Sequence, residues 1–302
     1  MTNKFTLIDY FPPETNTIDW PDLKDAGVTV LVRNEYANSL VSGNKYWKLK
    51  YNLDQAAKEK ATTLLTFGGA YSNMIHATAA AAHLLGFRSI GVIRGEEIHP
   101  LNETLEFATR MGMRLHFVSR EKYRDKNNAS FISDLKQKFG DFYLLPEGGT
   151  NELAVRGCLE WAKLITDENN FDYVCVPVGT GGTLAGLIAG FEGQKKIMGF
   201  SSLKGGDFLV DEVKSILSQC RFADPGNWSI ETRFHFGGYG KSSGELEQFI
   251  FDETTYNSLP LDRVYTSKMM FGIKQLVKEG FFRRGSTVLA LHTGGLQKTQ
   301  HP

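Results

Sequence analysis

The chain is 302 residues long, with 34 Lys plus Arg against 34 Asp plus Glu, and 41% of it is hydrophobic. That length exceeds what one core usually organises, so two domains are expected. The balanced charge offers no basic stripe for nucleic acid and no acidic tail for a histone-like or metal-rich partner. Residues 1–9 lack the apolar stretch of a signal peptide. The longest apolar run, 184–191, is broken by Gly186 and Gly190 and is too short to span a bilayer. Cys158, Cys175 and Cys220 are widely spaced and never in a CxxC pair, which fits buried thiols in a reducing cytosol rather than disulfides or zinc. A cytoplasmic protein without a membrane segment is expected.

Short apolar runs alternate with helical patterns along the chain. In order, the patterning predicts a strand at 28–32, a helix at 46–58, a strand at 63–67, a helix at 73–85 and a strand at 89–93. It continues with a helix at 101–111, a strand at 114–118, a helix at 130–139, a strand at 142–145 and a helix at 152–165. Beyond these come a strand at 173–178, a helix at 183–191, a strand at 196–200, a helix at 208–218, a strand at 229–236, helices at 244–251 and 268–278, and a last strand at 287–291. The alternation predicts an α/β protein with largely parallel sheets, and the unbroken apolarity of 173–178 predicts helices on both sheet faces. Composition reveals no linker and no repeat.

Four of the strand-to-helix or strand-to-end connections are glycine-rich. After the strand at 173 comes Val178-Gly179-Thr180-Gly181-Gly182-Thr183. Successive backbone N–H groups, a helix start and two threonine hydroxyls together suit a phosphate monoester. A dinucleotide fingerprint fails because Leu184 stands where glycine is needed, and no Gly-Lys-Ser/Thr of a Walker loop is present. The alternative is tight helix–sheet packing without a ligand. A second loop, Phe67-Gly68-Gly69-Ala70-Tyr71-Ser72-Asn73, places Ser72 as a helix N-cap, with N–H groups left over that could meet a carboxylate. The third is Pro146-Glu147-Gly148-Gly149-Thr150-Asn151, and the fourth is Leu291-His292-Thr293-Gly294-Gly295. His292 has no nucleophile near it in sequence, which favours a structural role. His76 and His83 share a helix face but lack a third ligand, so no metal is expected. Open α/β sheets bind ligands at the carboxyl ends of their strands, and all four loops lie there, pointing to one cleft.

The lysine that such a cleft would use stands in Ser42-Gly43-Asn44-Lys45-Tyr46-Trp47-Lys48, after a glycine turn and before a helix. The set SGNKYWK, FGGAYSN, LPEGGTN, VGTGGT and LHTGG, in this order from about Asn34 to Gly295, resembles the pyridoxal-phosphate enzymes of the tryptophan-synthase-β-like fold. More narrowly, it resembles the D-cysteine desulfhydrase and 1-aminocyclopropane-1-carboxylate deaminase family. The resemblance implies two open, mostly parallel twisted sheets flanked by helices. It divides the chain into a small domain at 49–149 and a large cofactor-binding domain from 1–48 and 150–302. It also implies pyridoxal 5'-phosphate as cofactor, a small amino-acid substrate and a homodimer.

By the same resemblance, Lys45 forms the internal Schiff base and Lys48 assists at the phosphate, which Gly179, Thr180, Gly181, Gly182 and Thr183 hold. Asn73 hydrogen-bonds the cofactor's phenolic oxygen, and Ser72 meets the substrate carboxylate and is a candidate proton shuttle. Tyr239 and Tyr265 match the family's two active-site tyrosines. Lys45, Ser72 and Tyr265 all compete for the α-proton.

Three departures bear on the reaction. Thr266 follows the second tyrosine where the deaminases carry glutamate, and Thr293 precedes the last glycines where they carry leucine. A carboxylate beside the pyridine nitrogen keeps it protonated and makes the ring the strong electron sink that opening a cyclopropane requires. A hydroxyl leaves a weaker sink, sufficient when a β-substituent departs with the electrons. Met74 stands where relatives often have a polar residue, which bears on the carboxylate pocket. The expected activity is therefore β-elimination, first from D-cysteine to pyruvate, sulfide and ammonia. The cyclopropane-acid deaminase is second, and another amino-acid lyase or a racemase third. A phosphate- or nucleotide-binding module without chemistry at Lys45 is the reading from a different class.

Overall fold

The computed structural model describes residues 10–37, 40–41, 43–97, 99–168 and 170–296. Ser42 of the lysine motif and the stretch 1–9 lie outside the described residues. Elements are numbered in chain order. The larger sheet contains β1 (Thr15–Thr17), β2 (Thr29–Arg33), β7 (Tyr173–Val178), β8 (Lys196–Ser201), β9 (Trp228–Glu231) and β10 (Thr287–Leu291). Its strand order is β1-β2-β10-β7-β8-β9, parallel throughout except for the antiparallel edge strand β1. The second sheet contains β3 (Thr63–Gly69), β4 (Arg88–Arg94), β5 (Met113–Val118) and β6 (Tyr143–Leu145), in the order β5-β4-β3-β6 and all parallel.

The helices are α1 (Pro21–Ala26), α2 (Asn44–Lys58), α3 (Asn73–Leu85), α4 (Glu103–Arg110), α5 (Ala129–Phe139), α6 (Glu152–Glu168), α7 (Gly182–Phe191), α8 (Leu209–Gln219), α9 (Gly244–Tyr256) and α10 (Thr266–Lys278). They cover both faces of the larger sheet, and β7 shows how. Successive side chains of a strand point to opposite faces. Val174, Val176 and Val178 join the core with α2, α6 and α7, whereas Tyr173 and Cys175 join the one that includes Met269, Met270 and Ile273 of α10. Every residue of β7 is therefore buried. The smaller sheet packs Leu65 and Phe67 against Phe131 and Leu135 of α5, and turns its other face toward α3 and α4.

One apolar core runs between the sheets. Leu64 of β3 and Leu145 of β6 share it with Leu49 and Leu53 of α2 and with Val174 and Leu289 of the larger sheet. The expected division between residues 48 and 49 falls inside α2, which packs along α6. A buried amide network strengthens this junction. Asn52 of α2 and Asn151, just before α6, bond to one another, and the Tyr143 hydroxyl of β6 donates to Asn52.

Several features were not anticipated from the patterning. β1 is short and polar, with no apolar run to signal it. α1 carries Pro21 at its start and ends on the left-handed Gly27, which are boundary signals that a short helix leaves easily overlooked. The strand expected at 229–236 ends at Glu231. Phe234 and Phe236 instead pack on Phe271 of α10, so their apolar spacing reflects helix contact rather than sheet pairing.

Glycine in α6 and α7 permits backbone contact between helices. A Cβ on Gly157 would lie 1.9 Å from the Trp47 carbonyl oxygen of α2, and one on Gly186 would lie 2.3 Å from Cys158 Cβ. Ala for Gly inside a helix ordinarily stabilises by about 1 kcal/mol. Here the overlap is with backbone, so Gly157→Ala is expected to destabilise by about 2–3 kcal/mol, read as a lower urea midpoint at unchanged slope.

Candidate active site

The four glycine loops and the start of α2 meet at the carboxyl ends of the strands, around a cleft of about 730 Å³. Gly43 is the N-cap of α2 at φ +65°, a conformation that glycine adopts without steric penalty. A Cβ there would stand 1.9 Å from the Thr293 carbonyl oxygen, so the helix start sits directly on the fourth loop.

This seating puts Lys45 into the cleft wall. Its Nζ donates to Asn44 Oδ1 at 2.9 Å, and Asn44 Nδ2 donates to Thr183 Oγ1 at 2.8 Å. Burial, with repulsion from Lys48 second, pulls the Lys45 ammonium down to about 7. Lys48, one turn on, also lines the cleft and is lowered to about 8 by burial. Its Nζ donates to the Gly148 carbonyl at 2.9 Å and to Thr150 Oγ1 at 3.3 Å, so it fastens the third loop at the cleft. Cys158 contributes no nucleophile, because burial pushes its thiol up to about 11.

Opposite α2, α7 begins without a side-chain cap. Gly181, at φ +79°, is its N-cap residue, leaving N–H groups of the first turn without helical partners. Gly179, Thr180, Gly181 and Thr183 line the cleft, and Gly182 sits just behind, where a Cβ would stand 2.6 Å from Thr150 Oγ1. Thr150 and Thr180 share a hydroxyl hydrogen bond of 2.7 Å, which locks the third loop to the first.

Ser72 is the N-cap of α3, and its Oγ accepts from the N–H groups of Met74 and Ile75 at 3.2 and 3.4 Å. Ser72 is thus the cap expected from sequence, and it takes up these two N–H groups itself. Asn73 follows at the cleft. Met74 also lines the cleft; a Cβ on Gly149 would stand 2.9 Å from its Sδ, so the side chain lies against the third loop.

Tyr239 and Tyr265 come together from different parts of the chain, with ring centroids 6.0 Å apart in an edge-on arrangement. Burial raises both phenols. Tyr265 rises well above its usual range because Tyr239 and Asp262 also oppose its ionisation, so both remain protonated at neutral pH. Thr293 lines the cleft, whereas Thr266 is fully buried and is not among the lining residues. The Thr266 hydroxyl bonds to the Asp262 carboxylate. His292 is buried and held neutral, its Nε2 donating to the Pro260 carbonyl at 2.8 Å, which is a structural role. His76 stacks on Phe107, with centroids 3.8 Å apart. Among the described residues no group of three or more His, Cys, Asp or Glu could hold a metal ion, and no helix is long and apolar enough to cross a membrane.

Two residues near the catalytic candidates were missed. Asp262 holds the turn that leads into α10, accepting from the N–H groups of Val264 and Tyr265 on one oxygen and of Thr266, the first helical residue, on the other. It stands four residues before the helix, outside the N-cap position where a capping aspartate is sought, so the sequence carried no signal for it. Asn44 stood inside the lysine motif without an assigned role, because its partner Thr183 is 139 residues away.

A neutral-leaning amine and an uncapped anion cradle in one cleft are what an aldehyde phosphate needs, and the comparisons with known proteins agree. The model of the pyridoxal-phosphate dependent enzyme family matches residues 8–294. The chain belongs to that family. A bifunctional D-cysteine desulfhydrase/1-aminocyclopropane-1-carboxylate deaminase of Arabidopsis thaliana, described as mitochondrial, is 28% identical over 95% of the chain and 77% of its own length. A 1-aminocyclopropane-1-carboxylate deaminase of Rhizobium radiobacter is 26% identical over 96% and 92%. The crystal structure of a 1-aminocyclopropane-1-carboxylate deaminase homologue superposes with a TM-score of 0.81 at 26% identity, covering 99% of this chain and 96% of the other. The protein is a pyridoxal-phosphate-dependent enzyme of the tryptophan-synthase-β-like fold, and its resemblance to the desulfhydrase and deaminase group extends over nearly the whole chain.

The lowered lysines have a consequence for stability. Between about pH 7 and 9 the unfolded chain keeps Lys45 protonated while the folded chain does not, so the unfolded state binds more protons and stability rises with pH. In the cofactor-free protein the urea midpoint is expected to climb over that window, and Lys45→Met is expected to flatten the climb.

Proposed function

We propose that the protein is a lyase that removes a β-substituent from a small amino acid, with D-cysteine, giving pyruvate, sulfide and ammonia, as the first substrate. In this reading Lys45 carries the cofactor, and Gly179 to Thr183 hold its phosphate, with Lys48 beside them. Asn73 meets its phenolic oxygen and Thr293 lies toward its ring nitrogen, while Thr266, expected there from sequence, sits behind the cleft wall with its hydroxyl on Asp262. The bound cofactor supplies an aldehyde for the substrate amine and a sink for the electrons released at the α-carbon.

The residues around it divide the remaining work. An amine lowered to about 7 suits Lys45, whenever it does not itself hold the cofactor, to take the α-proton at neutral pH, whereas phenols kept protonated at Tyr239 and Tyr265 suit proton donation to a departing group. Ser72 is the hydroxyl nearest in role to the substrate carboxylate. The homodimer and the cytoplasmic location expected from sequence belong to the same reading.

The observation that carries β-elimination is the lack of a free carboxylate at the two threonine positions. Asp262 is the adjacent acid, and both of its oxygens accept hydrogen bonds from the start of α10. The second reading, deamination of the cyclopropane acid, draws on the names of the relatives above.

Sulfide and pyruvate released from D-cysteine, assayed beside 2-oxobutyrate from the cyclopropane acid, separate the two; 2-oxobutyrate alone overturns the first. Lys45→Ala is expected to lower turnover by at least about 10³-fold and to abolish the cofactor's lysine-bound absorption. Tyr265→Phe is expected to lower kcat by about 10²- to 10⁴-fold with the cofactor's absorption retained.

A further inference from the structure

Arg94 ends β4 at the edge of the cleft, and its surroundings differ from those of the other cations there. Lys45 donates to Asn44, Lys48 to the third loop, and Lys126 pairs with Glu147 at 3.3 Å. The other Glu147 oxygen accepts from the Tyr123 hydroxyl at 2.8 Å. Among the described residues Arg94 has no ion pair. Its guanidinium instead lies by two aromatic rings, with Cζ 5.8 Å from the centroid of Tyr123 and 5.9 Å from that of Tyr239. One of its terminal nitrogens stands 3.6 Å from where a Cβ on Gly69 would be, so the group reaches over the backbone that leads to Ser72.

We infer that the amino-acid substrate carries a second anionic group, an oxyanion on its β-substituent, and that Arg94 receives it. This rests on the lyase reading and narrows its substrate class. A guanidinium offers a planar fork that matches a carboxylate, sulfonate or phosphate oxygen pair, and cation–π attraction to two nearby rings favours its position at the cleft without using its N–H donors. The Tyr239 ring connects this end of the cleft to the tyrosine pair, so a substituent that touches Arg94 extends away from the α-carbon past the phenols. Elimination of such a group balances without an added oxidant. The α-proton passes to a base of the chain, the bond from Cβ to the substituent breaks, and its electron pair leaves with the substituent. D-Cysteine is then a short analogue of the class, open to the same elimination but without the oxyanion that Arg94 reads.

The test is calorimetric titration of the holoenzyme with alanine and aspartate, both enantiomers of each. Neither has a β-leaving group suited to this reaction, and they differ in the side-chain carboxylate. Aspartate of one hand is expected to bind about 10- to 100-fold more tightly than the matching alanine. Arg94→Gln is expected to erase that preference while leaving alanine affinity and cofactor absorption unchanged.

The inference is overturned if aspartate binds no better than alanine in the unmodified holoenzyme, a comparison that needs no variant; alanine binding alone then leaves the lyase reading standing. It is also overturned if Arg94→Gln weakens alanine as much as aspartate, because the arginine then serves the α-carboxylate. Failure of every one of the four amino acids to bind sinks the lyase reading along with it.

Discussion

The desolvated amine of Lys45 is the constraint on which the rest of this molecule depends. An ammonium removed from water, with a second lysine one turn away, loses its proton far more readily than a surface lysine does. Holding it there requires that α2 begin without clashing with the last loop, which only glycine at position 43 allows. It also requires that the amine have a neutral partner rather than a carboxylate. Asn44 meets that need and passes the connection to Thr183, at the start of α7. The lysine and the anion cradle are thus tied by two short polar bonds, and the position of one follows that of the other.

The same economy of contacts joins the two sheets. α2 contributes to the shared core and presents Lys48 to the third loop, which comes from the smaller sheet. That loop in turn is hydrogen-bonded to the first through Thr150 and Thr180. Movement of one sheet against the other would therefore disturb the cleft where the first and third loops meet. Across the cleft, α10 links two further parts: Asp262 holds its first turn, and Lys268 donates to the Gly238 carbonyl at 2.7 Å, fastening the segment that carries Tyr239 beside Tyr265.

Much of the fold was legible because parallel strands buried on both faces leave apolar runs, and the helices between them leave a helical period. β7 and α3 were read almost to the residue. The elements that were missed or misread carry no such imprint. β1 is three polar residues paired at an edge, and Phe234 and Phe236 are apolar for a helix that packs on them from elsewhere in the chain. In the cleft, glycine loops announced themselves because closely spaced N–H groups need residues without side chains. Asp262 and Arg94 did not, since a carboxylate that holds a turn and a guanidinium beside two rings are single residues of common type whose meaning lies in their neighbours.

The order and composition of the loops, with a lysine between a glycine turn and a helix, determined by themselves that this chain forms an α/β fold whose glycine loops gather at a cleft and that it belongs to a pyridoxal-phosphate enzyme family. Those features are local: a loop that approaches a phosphate must be glycine-rich wherever it stands. Tertiary structure alone decided which hydroxyls face the cleft and which acid is taken up by the turn into α10. It also decided that Arg94, without an ion pair among the described residues, lies by two phenol rings. Charge, proton affinity and reach are set by burial and by partners distant in sequence, and those exist only once the chain has folded.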